Sequence, residues 1–187
     1  QKVMRALGAT IVHTPREDGM LGAEREAEKI IAGIEGAISL RQFKNPANPR
    51  AHYETTGPEI YRQLDGNIDY FVAGAGSGGT FSGITKYLKE QNSKIQGVLA
   101  DPYGSIIGGG EHQDYEIEGI GNDFIPETMD IHLVDMVIKI SDAEALATVK
   151  ELAKKEGILA GSSSGAALAA SLKLQEKIEK GNIVTIF

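Results

Sequence analysis

Hydrophobic residues follow two alternating patterns along this chain, and together they predict a regular succession of helices and strands. Short apolar runs favour strands at residues 10–13, 37–40, 70–73, 95–100, 136–140 and 183–187. Helical patterns favour helices at residues 1–7, 24–34, 56–64, 81–91, 142–156 and 161–177. Because repeated βα units form a mostly parallel sheet covered by helices, the predicted fold class is α/β, with three layers and helices on both faces.

The stretch between residues 45 and 59 carries two local signals. Pro46 and Pro49 predict irregular structure from residue 45 to 49, because proline disfavours the helical conformation of the residue before it. Thr56, followed one helical turn later by Glu59, predicts a capping box at the start of a helix. A long glycine-rich stretch at 102–130 is predicted to be irregular, which is typical of functional loops.

The composition is that of an ordinary globular protein, with 187 residues, of which 41% are hydrophobic and 24% charged. A formal net charge of −7, with dispersed Lys and Arg, argues against nucleic-acid and anionic-membrane partners. The absence of cysteine excludes disulfides and favours the cytoplasm, and no apolar run reaches the roughly 18 residues of a membrane span. No metal site is predicted, because the histidines are scattered: His13, His52, His112 and His132.

The most informative segment is Gly76-Ser77-Gly78-Gly79-Thr80, between the strand at 70–73 and the helix at 81–91. Glycines let the backbone turn tightly and approach a ligand, and the N–H groups of such a loop converge at a helix N-terminus. That terminus carries about half a positive charge. A phosphate group suits this site best, and the hydroxyls of Ser77 and Thr80 are well placed for a single terminal phosphate.

The same loop has other interpretations. Gly74, Gly76 and Gly79 match the G-x-G-x-x-G pattern of a nicotinamide dinucleotide site in an oxidoreductase. Asp101 then stands at about the distance expected of a ribose-binding carboxylate. Against this, a dinucleotide fingerprint normally opens its domain, whereas αβ units precede the loop here. A tight turn in an inactive structural fragment is the remaining interpretation.

Two further segments carry candidate ligands. Gly161-Ser162-Ser163-Ser164-Gly165 places three serines at a helix start, where capping needs only one. Gln42 follows an apolar run and precedes a proline-rich loop. Its amide at that position suits recognition of a carboxylate or amide, and a solvated polar side chain fits equally well.

Four segments occur in a distinctive order: Gln42-Phe43-x-Asn45-Pro46-Ala47-Asn48-Pro49, Thr55-Thr56-Gly57-Pro58-Glu59-Ile60, Gly76-Ser77-Gly78-Gly79-Thr80 and Gly161-x-Ser163-Ser164-Gly165-Ala166. Together they resemble the fold-type II pyridoxal-phosphate enzymes, specifically the cysteine synthase and cystathionine β-synthase family. The resemblance implies a tryptophan synthase β-like fold that is partial in this chain. Residues 1–44 would be the remnant of a smaller substrate-side domain. Residues 45–187 would be the larger domain that binds the cofactor phosphate, truncated at its C-terminus.

The resemblance also implies roles for individual residues. The loop Gly76–Thr80 would hold the phosphate of pyridoxal 5′-phosphate, and Ser163 would hydrogen-bond the pyridine nitrogen. Gln42 would help bind the amino-acid carboxylate, Glu118 would face the second substrate, and Gly119 would approach the substrate. A neutral hydroxyl at the ring nitrogen limits electron withdrawal, which suits the elimination of a β-substituent.

The reaction that the resemblance implies is β-replacement on serine or O-acetylserine, with a thiol or sulfide as the incoming group. Sulfide would give cysteine, and homocysteine would give cystathionine. The segment Tyr115-Glu116-Ile117-Glu118-Gly119-Ile120-Gly121 is more similar to the cystathionine β-synthase form of this loop, although Asn122 stands where those enzymes commonly have tyrosine. The resemblance further implies a homodimer.

One functional residue of that family has no counterpart in this chain. The lysine that forms the Schiff base with the cofactor lies upstream of the Gln-Phe-Asn-Pro segment. No lysine here, Lys2 and Lys44 included, has the matching sequence context. We therefore expect no catalytic residue in this chain, and we expect the chain to be inactive by itself.

Overall fold

The computed structural model describes residues 1–187, except for the side chain of Arg16, and the chain divides into two compact units, Gln1–Arg41 and Gln42–Phe187. The first unit contains three helical elements: α1 (Lys2–Ala6), a short 3-10 helix (Arg16–Asp18) and α2 (Gly19–Ala32). The strands predicted at 10–13 and 37–40 are wrong, because both segments lack regular structure. With no neighbouring strand there to accept and donate hydrogen bonds, an apolar run of that length does not form a β-strand.

The second unit is built on a four-stranded parallel sheet with the strand order β3-β2-β1-β4. The strands are β1 (Tyr70–Ala73), β2 (Gln96–Pro102), β3 (Met136–Ile140) and β4 (Ile183–Thr185). The helices are α3 (Ala47–Glu54), α4 (Thr56–Gln63), α5 (Gly79–Gln91), α6 (Asp142–Glu156) and α7 (Ser162–Gln175), with a 3-10 helix at Ile131–Leu133. Within the described residues, no helix is both long and apolar enough to cross a membrane.

Both faces of this sheet are covered by helices. Successive side chains of a strand point to opposite faces. Phe71 therefore packs in one core cluster with Phe81 and Leu88 of α5, whereas Val72 packs in the other with Ala170 of α7. The predicted three-layer α/β class, with a parallel sheet and helices on both faces, is confirmed.

The stretch at 45–59 differs from its prediction. Residues 47–49 begin α3 rather than an irregular loop, with Pro46 as the N-cap residue and Pro49 in the first turn. Proline is tolerated there because first-turn N–H groups have no acceptor within the helix. The capping box predicted at Thr56 is also wrong, because Thr55 is the N-cap residue of α4 and its hydroxyl donates to the Ala51 carbonyl.

Candidate active site

The loop Gly76–Thr80 connects the end of β1 to the first turn of α5. Gly78 has a left-handed backbone (φ +80°), and a Cβ atom there would lie 2.7 Å from the Cα of Met129. A Cβ on Gly76 would lie 2.5 Å from the carbonyl oxygen of Gly119. Glycine is therefore required at both positions, and the loop opens at the positive end of a 13-residue helix, which favours an anion.

Each hydroxyl of this loop has a side-chain partner. Asn48 of α3 donates through Nδ2 to Ser77 Oγ (2.9 Å) and to the Gln42 carbonyl (2.8 Å). Because Ser77 Oγ acts as an acceptor in this bond, its own proton remains for a ligand. Thr80 Oγ1 lies 3.0 Å from His52 Nε2.

His52 links Thr80 to Thr56 of α4, whose Oγ1 lies 3.0 Å from His52 Nδ1. Burial lowers the pKa of His52 below its ordinary value, which favours the neutral imidazole with a single ring proton. When Thr56 donates to Nδ1, that proton lies on Nε2 and is donated to Thr80 Oγ1. The Thr80 proton is then directed elsewhere, to an acceptor such as a phosphate oxygen.

The segment 115–121 is anchored to the first turns of two helices. The N–H groups of Glu116 and Ile117 both donate to Asp142 Oδ1 of α6, over 2.9 Å and 3.0 Å. The N–H of Glu118 donates to Ser162 Oγ of α7 (3.0 Å). These three bonds hold the segment across the starts of α6 and α7.

Gly119 lies between the two small-residue turns that the sequence singled out. Its carbonyl oxygen lies against Gly76, as described above, and a Cβ atom on Gly119 would lie 3.9 Å from Ser163 Oγ. Among the described side chains, none forms a hydrogen bond with the Ser163 hydroxyl. No serine side chain caps α7 either, since Gly161 is the N-cap residue. The Ser163 hydroxyl is therefore available to a ligand.

The two candidate substrate ligands have exposed side chains. Gln42 is held through its backbone carbonyl, which accepts from Asn48, while Thr128 Oγ1 lies 3.4 Å from the same oxygen. Glu118 is held through its backbone N–H. The substrate-binding roles of Gln42 and Glu118 therefore stay predictions.

The dinucleotide interpretation is not supported by the position of Asp101. This side chain is fully buried, and its Oδ2 accepts from Lys139 Nζ (2.6 Å) and from the Gly108 N–H (3.0 Å). A carboxylate that is buried and paired in this way cannot reach a ribose hydroxyl. Asp101 is therefore not the ribose-binding carboxylate that the nicotinamide interpretation requires, and that interpretation is wrong on this point.

Sequence reasoning missed the residues that brace the loop from the 122–128 segment. Asn122 Nδ2 donates to the Gly76 carbonyl (2.5 Å), and Thr128 Oγ1 donates to the Ser77 carbonyl (2.6 Å). Both lie in the stretch predicted to be irregular, where no periodic pattern marks a long-range contact. Among the described residues, no group of three or more His, Cys, Asp or Glu side chains is arranged to hold a metal ion.

Comparisons with known proteins identify the family. The family described as "Pyridoxal-phosphate dependent enzyme" matches residues 1–187. The chain is 51% identical over 188 residues to an O-acetylserine dependent cystathionine beta-synthase of Bacillus subtilis (strain 168), covering 100% of this chain and 61% of that protein. It is 46% identical over 198 residues to cysteine synthase A of Escherichia coli (strain K12), again covering 100% of this chain and 61% of the relative.

A solved structure gives the same result. The crystal structure of an O-acetylserine dependent cystathionine beta-synthase from Helicobacter pylori superposes with a TM-score of 0.95 at 44% identity, covering 100% of this chain and 61% of that chain. This chain thus spans about 61% of the length of these three proteins. With its whole length matched by the family, the chain belongs to the pyridoxal-phosphate dependent enzymes.

Proposed function

We propose that the intact protein catalyses β-replacement, in which the β-substituent of O-acetylserine or serine is exchanged for a thiol or sulfide. The observation that carries this proposal is the position of Gly119, which contacts the glycine loop on one side and lies near Ser163 on the other. A single cofactor can therefore reach both turns. The relatives named O-acetylserine dependent cystathionine beta-synthase and cysteine synthase support the same reaction class.

The residues present fit pyridoxal phosphate. The Ser77 hydroxyl has a proton free to donate to a phosphate oxygen, and the Thr80 hydroxyl has one when His52 donates to it through Nε2. Both lie at a helix end that favours negative charge. Ser163 offers a neutral hydroxyl to the ring nitrogen. The cofactor, when bound, withdraws electrons from the amino acid so that its β-substituent can leave. The protein holds the phosphate and sets the charge of the ring.

We propose homocysteine as the incoming thiol. The support is the Tyr115–Gly121 segment, in which the exposed Glu118 offers a carboxylate beside the turn that carries Ser163. A carboxylate attracts the ammonium group of homocysteine, which sulfide lacks. Gln42 would bind the carboxylate of the first substrate. Sulfide, which would make the protein a cysteine synthase, is the second candidate and is supported by the relatives of that name.

The test uses the full-length enzyme with O-acetylserine or serine, each combined in parallel with homocysteine or sulfide. We expect cystathionine as the main product, detected by mass spectrometry. The Glu118→Gln variant should raise KM for homocysteine and leave KM for sulfide unchanged. Cysteine as the main product would favour the second candidate, and no product from either donor would contradict β-replacement altogether.

Three broader assignments belong to the same proposal. We assign residues 1–44 to the substrate-side domain and 45–187 to the phosphate-binding domain, and the division of the chain after Arg41 lies close to that boundary. We also propose a homodimer in the cytoplasm. Light scattering on the full-length protein tests the dimer, and cell fractionation tests the location.

A further inference from the structure

Two buried side chains donate hydrogen bonds to consecutive carbonyl groups of the glycine loop. Asn122 donates through Nδ2 to the Gly76 carbonyl (2.5 Å), and Thr128 donates through Oγ1 to the Ser77 carbonyl (2.6 Å). Both residues are almost fully buried, with 8% and 5% of their surface exposed. These donors act on the backbone of the loop.

These two hydrogen bonds also fix the direction of the neighbouring N–H groups, because a peptide group is planar. The chain has no cis peptide bonds. In a planar trans peptide, the N–H points opposite to the carbonyl that precedes it. With the Gly76 and Ser77 carbonyls held by Asn122 and Thr128, the N–H groups of Ser77 and Gly78 face the opposite way. Among the described residues, neither of these N–H groups has an acceptor.

A glycine-rich loop does not by itself fix the orientation of its peptide N–H groups, so the two hydrogen bonds are needed for that orientation. A glycine on either side lets a peptide plane rotate without a Cβ clash, and Gly76 and Gly78 flank Ser77. A rotated peptide would put a carbonyl oxygen, with its partial negative charge, where an N–H donor stands now. The left-handed Gly78, followed by helical Gly79, forms the concave array of N–H groups that binds anions.

We infer that Asn122 and Thr128 are positioning residues, which keep the Ser77 and Gly78 N–H groups directed at the cofactor phosphate. This inference rests on the proposed function. It assigns a role to two side chains that do not themselves touch the cofactor. Loss of either donor should weaken the binding of a phosphate-bearing ligand specifically, because the pyridine ring contacts other parts of the site.

The test compares variants of the full-length protein after removal of its cofactor. Titration calorimetry measures the affinity for three probes: pyridoxal phosphate, inorganic phosphate and pyridoxal, which lacks the phosphate. We expect Thr128→Val and Asn122→Ala each to weaken pyridoxal phosphate and inorganic phosphate about tenfold, equivalent to about 1.4 kcal/mol. Binding of pyridoxal should stay within twofold of the unmodified protein.

Two control variants separate this role from general stability. Thr128→Ser keeps the hydroxyl donor and should bind all three probes like the unmodified protein. Thr148→Val removes a hydroxyl on α6 that donates to the Glu144 carbonyl, distant in sequence from the loop, and should change none of the affinities. If Asn122→Ala does not fold, the comparison of Thr128→Val with Thr128→Ser decides.

The outcomes are distinguishable. If the unmodified full-length protein binds neither pyridoxal phosphate nor inorganic phosphate, the proposed function fails. If it binds both and the donor-deleting variants bind equally well, the positioning role is wrong. A loss of pyridoxal affinity equal to the loss of pyridoxal phosphate affinity would also overturn it, since that result indicates general disruption of the site.

Discussion

The His52 side chain connects helix α4 to the glycine loop. It lies between Thr56 of α4 and Thr80 of the glycine loop, 3.0 Å from each hydroxyl. A hydrogen bond donated by Thr56 to Nδ1 needs a neutral imidazole, because a protonated ring can only donate. Burial favours that neutral form by lowering the pKa of His52.

The lowered pKa makes stability depend on pH in a defined direction. An unfolded histidine titrates near 6.5, whereas folded His52 titrates below that value. As pH falls from about 6.5, the unfolded state takes up a proton first, so the folded state loses stability until it too is protonated. We expect the unmodified protein to lose more stability between pH 7.5 and 5 than His52→Gln, whose side chain does not titrate. Urea unfolding at a series of pH values measures the difference.

His132→Gln is the control, because His132 is exposed and, among the described residues, its side chain forms no hydrogen bond with the glycine loop. Its pH profile should follow that of the unmodified protein. Equal loss of stability in His52→Gln and the unmodified protein would show that His52 does not carry this pH dependence.

At the scale of elements, the bounds of helices and strands were predicted correctly from the sequence where the element buries a periodic apolar face. The strand at 70–73 and the helix at 142–156 have the predicted bounds. The helix α3 was not predicted because Pro46 and Pro49 were interpreted as helix breakers. They lie at the N-cap position and in the first turn, where proline is compatible with a helix. The contacts of Asn122 and Thr128 with the loop join residues distant in sequence, and no local pattern encodes them.

The close packing of α3 against α5 depends on Gly83. A Cβ atom on this residue would overlap with the Pro49 carbonyl oxygen and lie 2.8 Å from the Cβ of His52. We expect Gly83→Ala to destabilise the protein by about 1–3 kcal/mol, although alanine is the better helix former by about 1 kcal/mol. Chemical denaturation of the full-length protein measures this change. Gly33→Ala is the control, because Gly33 has a right-handed backbone at the end of α2 and a Cβ atom there would meet nothing closer than 3.5 Å. A similar loss of stability in both variants would contradict the packing argument.

The anchoring of the 115–121 segment by α6 leads to another prediction. Asp142 Oδ1 accepts the N–H groups of Glu116 and Ile117, so Asp142→Ala removes both acceptors at once. We expect hydrogen exchange to accelerate at these two amides while the sheet amides keep their protection. Asp142→Asn retains an oxygen acceptor and should restore most of the protection. Unchanged exchange at both amides in Asp142→Ala would show that other contacts hold the segment.

At the scale of the whole molecule, the first unit shows the least burial. Among its described residues, those of α1 and α2 include a single buried position, Gly22. Leu7, Ile38 and Leu40 are 83%, 81% and 76% exposed. Exposed apolar side chains of this size are typical of a surface that another segment or chain covers. The chain spans about 61% of the length of the two relatives described above, and we expect none of its lysines to be the Schiff-base lysine that the resemblance requires.

We therefore expect the 187-residue chain by itself to bind phosphate but to have no β-replacement activity. The donors of the glycine loop lie within its own second unit, so inorganic phosphate should bind. Pyridoxal phosphate should form no stoichiometric adduct with one particular lysine, beyond the slow reaction of its aldehyde with surface lysines. The measurement is the visible absorbance of the chain with pyridoxal phosphate, before and after borohydride reduction, followed by mass spectrometry of its peptides. The full-length protein serves as the positive control. A reduced adduct on one lysine of the short chain, lost when that lysine is replaced by alanine, would show that the chain carries the catalytic residue after all.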